Sequence, residues 1–98
     1  MKHCILVKWN DPKEMKYRYS DIKAIFDRCK EIDGIYDVEY KENCIDRKNR
    51  YDFLIVITME EEALPVYDVS KMHIQWKEEY GKEIEKKAIF DYEDERGI

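Results

Sequence analysis

Apolar residues recur along the chain with two periods, and the switches between them mark the elements. In "KHCILVKW" (Lys2 to Trp9), His3, Ile5, Val7 and Trp9 alternate with Cys4 and Leu6, the period of a strand. Asn10-Asp11-Pro12 then supplies turn chemistry. Ile22, Ile25, Phe26, Cys29 and Ile32 return at helical spacing, with Ser20 as the expected N-cap, Asp21 in the first turn and Gly34 at the C-terminal end. "IYDVEYKE" (Ile35 to Glu42) alternates as a second strand, and "NCIDRKNR" reads as a loop. "YDFLIVITM" (Tyr51 to Met59) is the strongest strand pattern in the chain.

The segment "EEEALPVY" starts a helix near Glu61 or Glu62, where Pro65 falls in the first turn and its missing amide hydrogen costs nothing. The glutamates suit the positive end of that helix. A break at Val69-Ser70 leads to a second helical piece in which His73, Trp76, Tyr80 and Ile84 share one face. "KAIFDYE" (Lys87 to Glu93) closes the order as a fourth strand, and residues 94–98 read as a frayed tail. The order βαββαβ, without repeat or linker, predicts one α+β domain over residues 1–93. With right-handed crossovers this is a ferredoxin-like antiparallel sheet carrying its helices on one face.

Both faces of that sheet are apolar. Tyr51, Phe53, Ile55 and Ile57 point one way on the third strand, and Leu54, Val56 and Thr58 the other. The fourth strand sets Ala88, Phe90 and Tyr92 against Ile89. Helices cover one face only, and the other is expected to be buried by a two-fold partner packing sheet to sheet. The expected contact includes Leu6, Leu54, Val56, Phe90 and Tyr92. The expected assembly is thus a homodimer, a dimeric α/β barrel.

Composition narrows the function classes. Of 98 residues 42% are charged, but the signs are mixed and the net charge is −5, so no basic groove for nucleic acid is expected. Eight tyrosines make a substantial core plausible despite the polar average. Cys4, Cys29 and Cys44 are odd in number and lack CxxC spacing, which reads as reduced thiols in a cytoplasmic protein. The opening apolar run is too short for a signal peptide or a membrane span. Three scattered glycines exclude a phosphate-binding loop, and Cys4 points away from His3, so neither a metal site nor a cofactor is expected.

Taken together, "KHCILVKW", "IDGIYDVEYKEN", "NRYDFLIVITMEEEALPVY", the histidine that follows and "IFDYE" resemble the Dabb family, the stress-responsive dimeric α/β-barrel domains, over Met1 to Glu93. The resemblance implies ferredoxin-like protomers that dimerise through their sheets. It also implies kinship with a superfamily of cofactor-free monooxygenases, haem-degrading enzymes and polyketide cyclases, whose pocket lies between sheet and helices. Family members commonly carry H-P-x-H where this chain has Ser70-Lys71-Met72-His73, so only the last histidine remains. In the plant polyketide-cyclase members that histidine is a general base, helped by a tyrosine six residues earlier, which implies these roles for His73 and Tyr67. The opening K-H implies His3 as a further pocket residue. A third pocket histidine is replaced by Phe53 and a pocket tyrosine by Ile25.

Periodicity places His3, Tyr67 and His73 on stripes facing one space, walled by Ile5, Val7, Ile22, Ile25, Phe53, Ile55, Trp76 and Ile89. Imidazole reaches a working base pKa with the least tuning, and a phenol beside it can hold the ring or donate to a developing oxyanion. Two function classes remain. One is a Dabb domain binding a small apolar or aromatic ligand without turnover. The other is a cofactor-independent enzyme, polyketide-cyclase-like or related, with His73 as base. An open cavity touching both histidines favours the enzyme. A space filled by Trp9, Phe26, Phe53 and Trp76 favours the binding module.

Overall fold

The computed structural model describes residues 1–94; the expected frayed tail lies outside them from residue 95 onward. Four strands, β1 (Lys2–Trp9), β2 (Ile35–Glu42), β3 (Phe53–Met59) and β4 (Ile84–Tyr92), form one antiparallel sheet in the order β2-β3-β1-β4. Helices α1 (Pro12–Met15) and α2 (Tyr19–Asp27) link β1 to β2. Helices α3 (Leu64–Asp68) and α4 (Lys71–Tyr80) link β3 to β4. The fold is α+β and ferredoxin-like.

The first helical crossover starts earlier than its apolar stripe suggests. Asp11 caps α1 by accepting from the Glu14 amide at 3.2 Å, and Pro12 occupies the first turn. Ser20 is therefore exposed inside a continuing helix and caps nothing. A tighter turn over Arg28–Glu31 ends the segment, and Gly34 follows at φ +91°. A side chain there would also meet the Ala63 Cβ at 3.1 Å, because Gly34 O accepts from the Glu60 amide at 2.7 Å. Both the left-handed backbone and the close approach require glycine.

The second crossover breaks where expected, and its expected start near Glu61 is a tight turn over Glu61–Ala63 that leads into α3. Pro65 lies in the first turn of α3, and Ser70 caps α4 by accepting from the His73 amide at 3.2 Å. Ile84 does not continue the α4 stripe. Gly81–Glu83 forms a tight turn after Tyr80, and Ile84 opens β4, three residues earlier than the alternation at Lys87 suggested. β3 starts at Phe53 rather than Tyr51, since the Asp52 carboxylate turns to accept from the Trp9 amide at 2.8 Å. In β2 a register shift between Ile35 and Asp37 lets Ile35 and Val38 both face the core despite their odd spacing.

Aromatic rings dominate the interior. Trp9 meets Trp76 edge to face at 6.1 Å, Phe26 meets Trp76 at 5.0 Å, and Tyr19 stacks on Phe53 at 4.3 Å. The Trp9 indole donates to the Tyr19 hydroxyl at 3.0 Å, which settles two buried polar groups at once. On the opposite sheet face, the pairing puts Leu54, Leu6 and Ala88 in one row and Val56, Cys4 and Phe90 in the next. Lys41 and Glu39 continue those rows on β2, so the apolar patch is three strands wide and has a charged border.

Candidate functional site

His3 stands on β1 directly across from Asp91 on β4, on the helix-facing side of the sheet. Its Nδ1 donates to Asp91 Oδ1 at 2.5 Å. From above, α3 and α4 bring Tyr67 and His73. The bend at Val69-Ser70 lets His73 Nδ1 reach back to the Asp68 carbonyl oxygen at 2.9 Å. A carbonyl oxygen only accepts, so Nδ1 carries the proton of the neutral ring and Nε2 keeps the lone pair. The same reasoning applies to His3 against an ionised Asp91. Both imidazoles are thus held by Nδ1, which leaves Nε2 as the chemically available nitrogen.

Tyr67 lies between them. Its ring is 4.7 Å from that of His73, tilted by 43°, and 5.5 Å from that of His3, edge on. The contact is ring packing and not a hydrogen bond to either histidine: the hydroxyl is enclosed and has no partner among the described residues. Burial, with Cys29 and then Asp68 adding to it, pushes this phenol well above its ordinary pKa and keeps it protonated.

These residues wall a cavity of about 330 Å³, small-molecule in size and open to solvent, lined also by Ile5, Trp76 and Ile89. Six of the residues expected from periodicity therefore share one space: His3, Ile5, Tyr67, His73, Trp76 and Ile89. The other five do not line it. Val7, Ile22, Phe53 and Ile55 are buried in the core, and Ile25 lies beneath a depression between α2 and α4. The reason is the aromatic cluster, which fills the middle of the layer and confines the open space to the His3 end of β1. Sequence reasoning missed Leu64, Asp68, Lys87 and Asp91 in the lining. Lys87 and Asp91 were within reach, since they alternate with Ala88, Phe90 and Tyr92 on the same face as Ile89.

A larger depression of about 600 Å³ lies beyond the other end of β1, among Asn10, Lys16, Tyr19, Glu42 and Asp52. It holds no imidazole and its lining is a mixture of surface charges, whereas both histidines line the smaller cavity. Among the described residues no group of three or more His, Cys, Asp or Glu side chains is placed to hold a metal ion. All three cysteines are unpaired, Cys4 and Cys29 buried and Cys44 exposed. No helix among the described residues is long and apolar enough to cross a membrane.

A four-stranded ferredoxin-like protomer with a cavity between sheet and helices is the class defined by this geometry. Solved structures share the fold across nearly the whole chain. A protein from Arabidopsis thaliana superposes with a TM-score of 0.78 at 16% identity, covering 97% of this chain and 95% of that one. A Dabb family protein with a ferredoxin-like fold from Mesorhizobium loti gives 0.74 at 19%, covering 97% and 96%. A dimeric ferredoxin-like protein of unknown function from Jannaschia sp. CCS1 gives 0.77 at 19%, covering 95% and 97%. A hydroxynitrile lyase from Passiflora edulis has the same fold, with a TM-score of 0.73 at 12% identity, covering 93% and 89%. At these identities the likeness is one of fold. No family model matches the sequence, and no curated protein matches it.

Proposed function

We propose that this protein is a cytoplasmic homodimer of the Dabb type that binds a small apolar or aromatic molecule between His3 and His73. The observation that carries the reading is the layer centre filled by Trp9, Phe26, Phe53 and Trp76, which leaves one space at its edge, with Ile5, Trp76 and Ile89 as apolar walls and His3, His73, Asp68, Lys87 and Asp91 as polar groups. The homodimer is supported by the apolar rows across β3, β1 and β4, where Phe90 is 63% exposed in the protomer. Its fold neighbours from Thermobifida fusca, Bacteroides fragilis and Jannaschia sp. are dimeric. A thermal-shift screen of small aromatic and carbonyl compounds tests the binding. A ligand that binds only the folded state raises the midpoint, and His73→Ala or Trp76→Leu should abolish the rise. A library without hits, or hits indifferent to both substitutions, would overturn the reading.

The open cavity that touches both histidines favours a second reading, a cofactor-independent enzyme. Two histidines fixed through Nδ1 on either side of one cavity have the geometry of a proton-transfer pair. In that reading His73 Nε2 takes the proton from a weak acid. His3, oriented by Asp91, faces the site where charge develops. Tyr67 contributes through its ring, and its hydroxyl acts only when a bound ligand brings the acceptor that no described residue supplies. Exchange of an enolisable hydrogen of a bound ketone into deuterated water, lost in His73→Ala, would establish it.

A further inference from the structure

β4 serves two surfaces at once and, apart from its backbone ladder to β1, is thinly supported. It is an edge strand whose single neighbour in the sheet is β1. None of its nine residues is fully buried in the protomer. Lys87, Ile89 and Asp91 face the helices and line the cavity. Ala88, Phe90 and Tyr92, alternating with them, belong to the opposite face and pair with Leu6, Cys4 and Lys2. The polar contacts that cross this seam are the ion pairs Met1 to Glu93 and Lys2 to Asp94 and the hydrogen bond from His3 to Asp91. Their acidic partners are exposed, so water and salt weaken them. The wall that orients His3 is therefore fastened by few buried contacts.

We propose that the site is incomplete in a lone protomer, and that a second copy packed on the sheet fixes β4 and with it the Asp91 side of the cavity. This inference rests on the homodimer proposed above and goes beyond it, because it makes ligand uptake and dimerisation reinforce each other. The occupant is a second copy because this face, with Phe90 and Tyr92 exposed, Leu6, Leu54 and Ala88 half-buried and Cys4 and Val56 already buried, is apolar and so self-complementary in kind. Apolar side chains run across β3, β1 and β4 and stop at charged residues on β2, the outline of an interface with a polar rim. Burying Phe90 and Tyr92 against a partner removes the freedom of the strand that carries Ile89 and Asp91 between them. A ligand touching those residues then binds an ordered wall instead of having to order it. Linkage makes the effect reciprocal: whatever dimerisation adds to ligand affinity, the ligand adds to dimerisation.

The test uses Leu54→Asp, a substitution on β3 outside the cavity and outside β4. Sedimentation establishes whether this variant is monomeric, and circular dichroism whether it is folded. Hydrogen exchange is then compared with the wild-type dimer. The expected result is at least about tenfold faster exchange of the β4 amides bonded to β1, together with loss of the low-field imidazole proton of His3, while exchange in α2 stays unchanged. A folded monomer that keeps both β4 protection and the His3 resonance would overturn the proposal. Should Leu54→Asp not fold, wild-type protein above and below its dissociation midpoint gives the same comparison by mass spectrometry, with the same two outcomes. Wild type that sediments as a monomer at every concentration would remove the homodimer and this inference together. The cavity reading would stand or fall separately in the thermal-shift screen.

Discussion

His3 and Asp91 are direct cross-strand neighbours whose side chains join on the cavity side of the sheet, imidazole Nδ1 to carboxylate Oδ1. The pair ties the first residue of the cavity lining to the last. Asp91→Asn keeps the shape and the acceptor oxygen but removes the charge. Because Asp91 is partly exposed, the expected loss of stability is small, about 1 kcal/mol or less, read from urea denaturation. The His3 imidazole signals should move far more than the denaturation midpoint does. A large destabilisation with unchanged His3 signals would mean that Asp91 acts on the strand and not on the ring.

Replacing His73 by alanine should lower any turnover by about two to four orders of magnitude if it is the base. Tyr67→Phe should cost much less. It should also leave the fold as stable as before or stabilise it by about 1 kcal/mol, since it deletes an enclosed hydroxyl with no partner. Thermal denaturation of the two variants separates these roles.

Val56→Asp places a carboxylate in the middle of the proposed dimer face. Sedimentation should show a monomer or an unfolded chain, because an unpaired buried charge is costly. A dimer of unchanged affinity would show that another surface mediates assembly.

The Cys29 thiol is buried, and burial pushes its pKa up to about 11 from 9.0. Above pH 9 the unfolded chain releases this proton while the folded chain keeps it, so the unfolded state binds fewer protons and stability falls as pH rises from 9 to 11. Cys29→Ala should flatten this part of the pH profile, apart from its own packing loss. At pH 8 a thiol reagent should label Cys44 rapidly and Cys29 only on unfolding.

Gly34→Ala should destabilise by about 1–2 kcal/mol, from left-handed backbone strain, with the 3.1 Å approach to Ala63 adding to it. Chemical denaturation checks this directly.

The fold was legible because period and punctuation agreed: alternating strands, a helical stripe ending at a glycine with positive φ, and Pro65 where its missing amide hydrogen does no harm. Errors came where one signal ran past another. Ile84 extends the His73-Trp76-Tyr80 spacing by four residues, yet α4 ends at Tyr80 and the Gly81–Glu83 turn delivers Ile84 to a strand. Asp11-Pro12 reads equally as a turn or as a cap, and only the Glu14 amide decides. The site was half legible. Face assignment brought His3, Tyr67 and His73 together, but periodicity carries no information on volume. It could not show that Trp9, Phe26 and Phe53 would fill the centre and leave Val7, Ile22 and Ile55 without open space beside them.

Trp76 belongs both to that packed centre and to the cavity wall, with Trp9 6.1 Å from it. Both indoles are almost fully shielded from water, so the unliganded protein should emit toward the blue. Energy passes between two indoles this close, so a change at Trp76 is felt in the emission of both. The protein thus carries an intrinsic optical probe in the buried wall of its own cavity, and titrations can be followed by emission without a label.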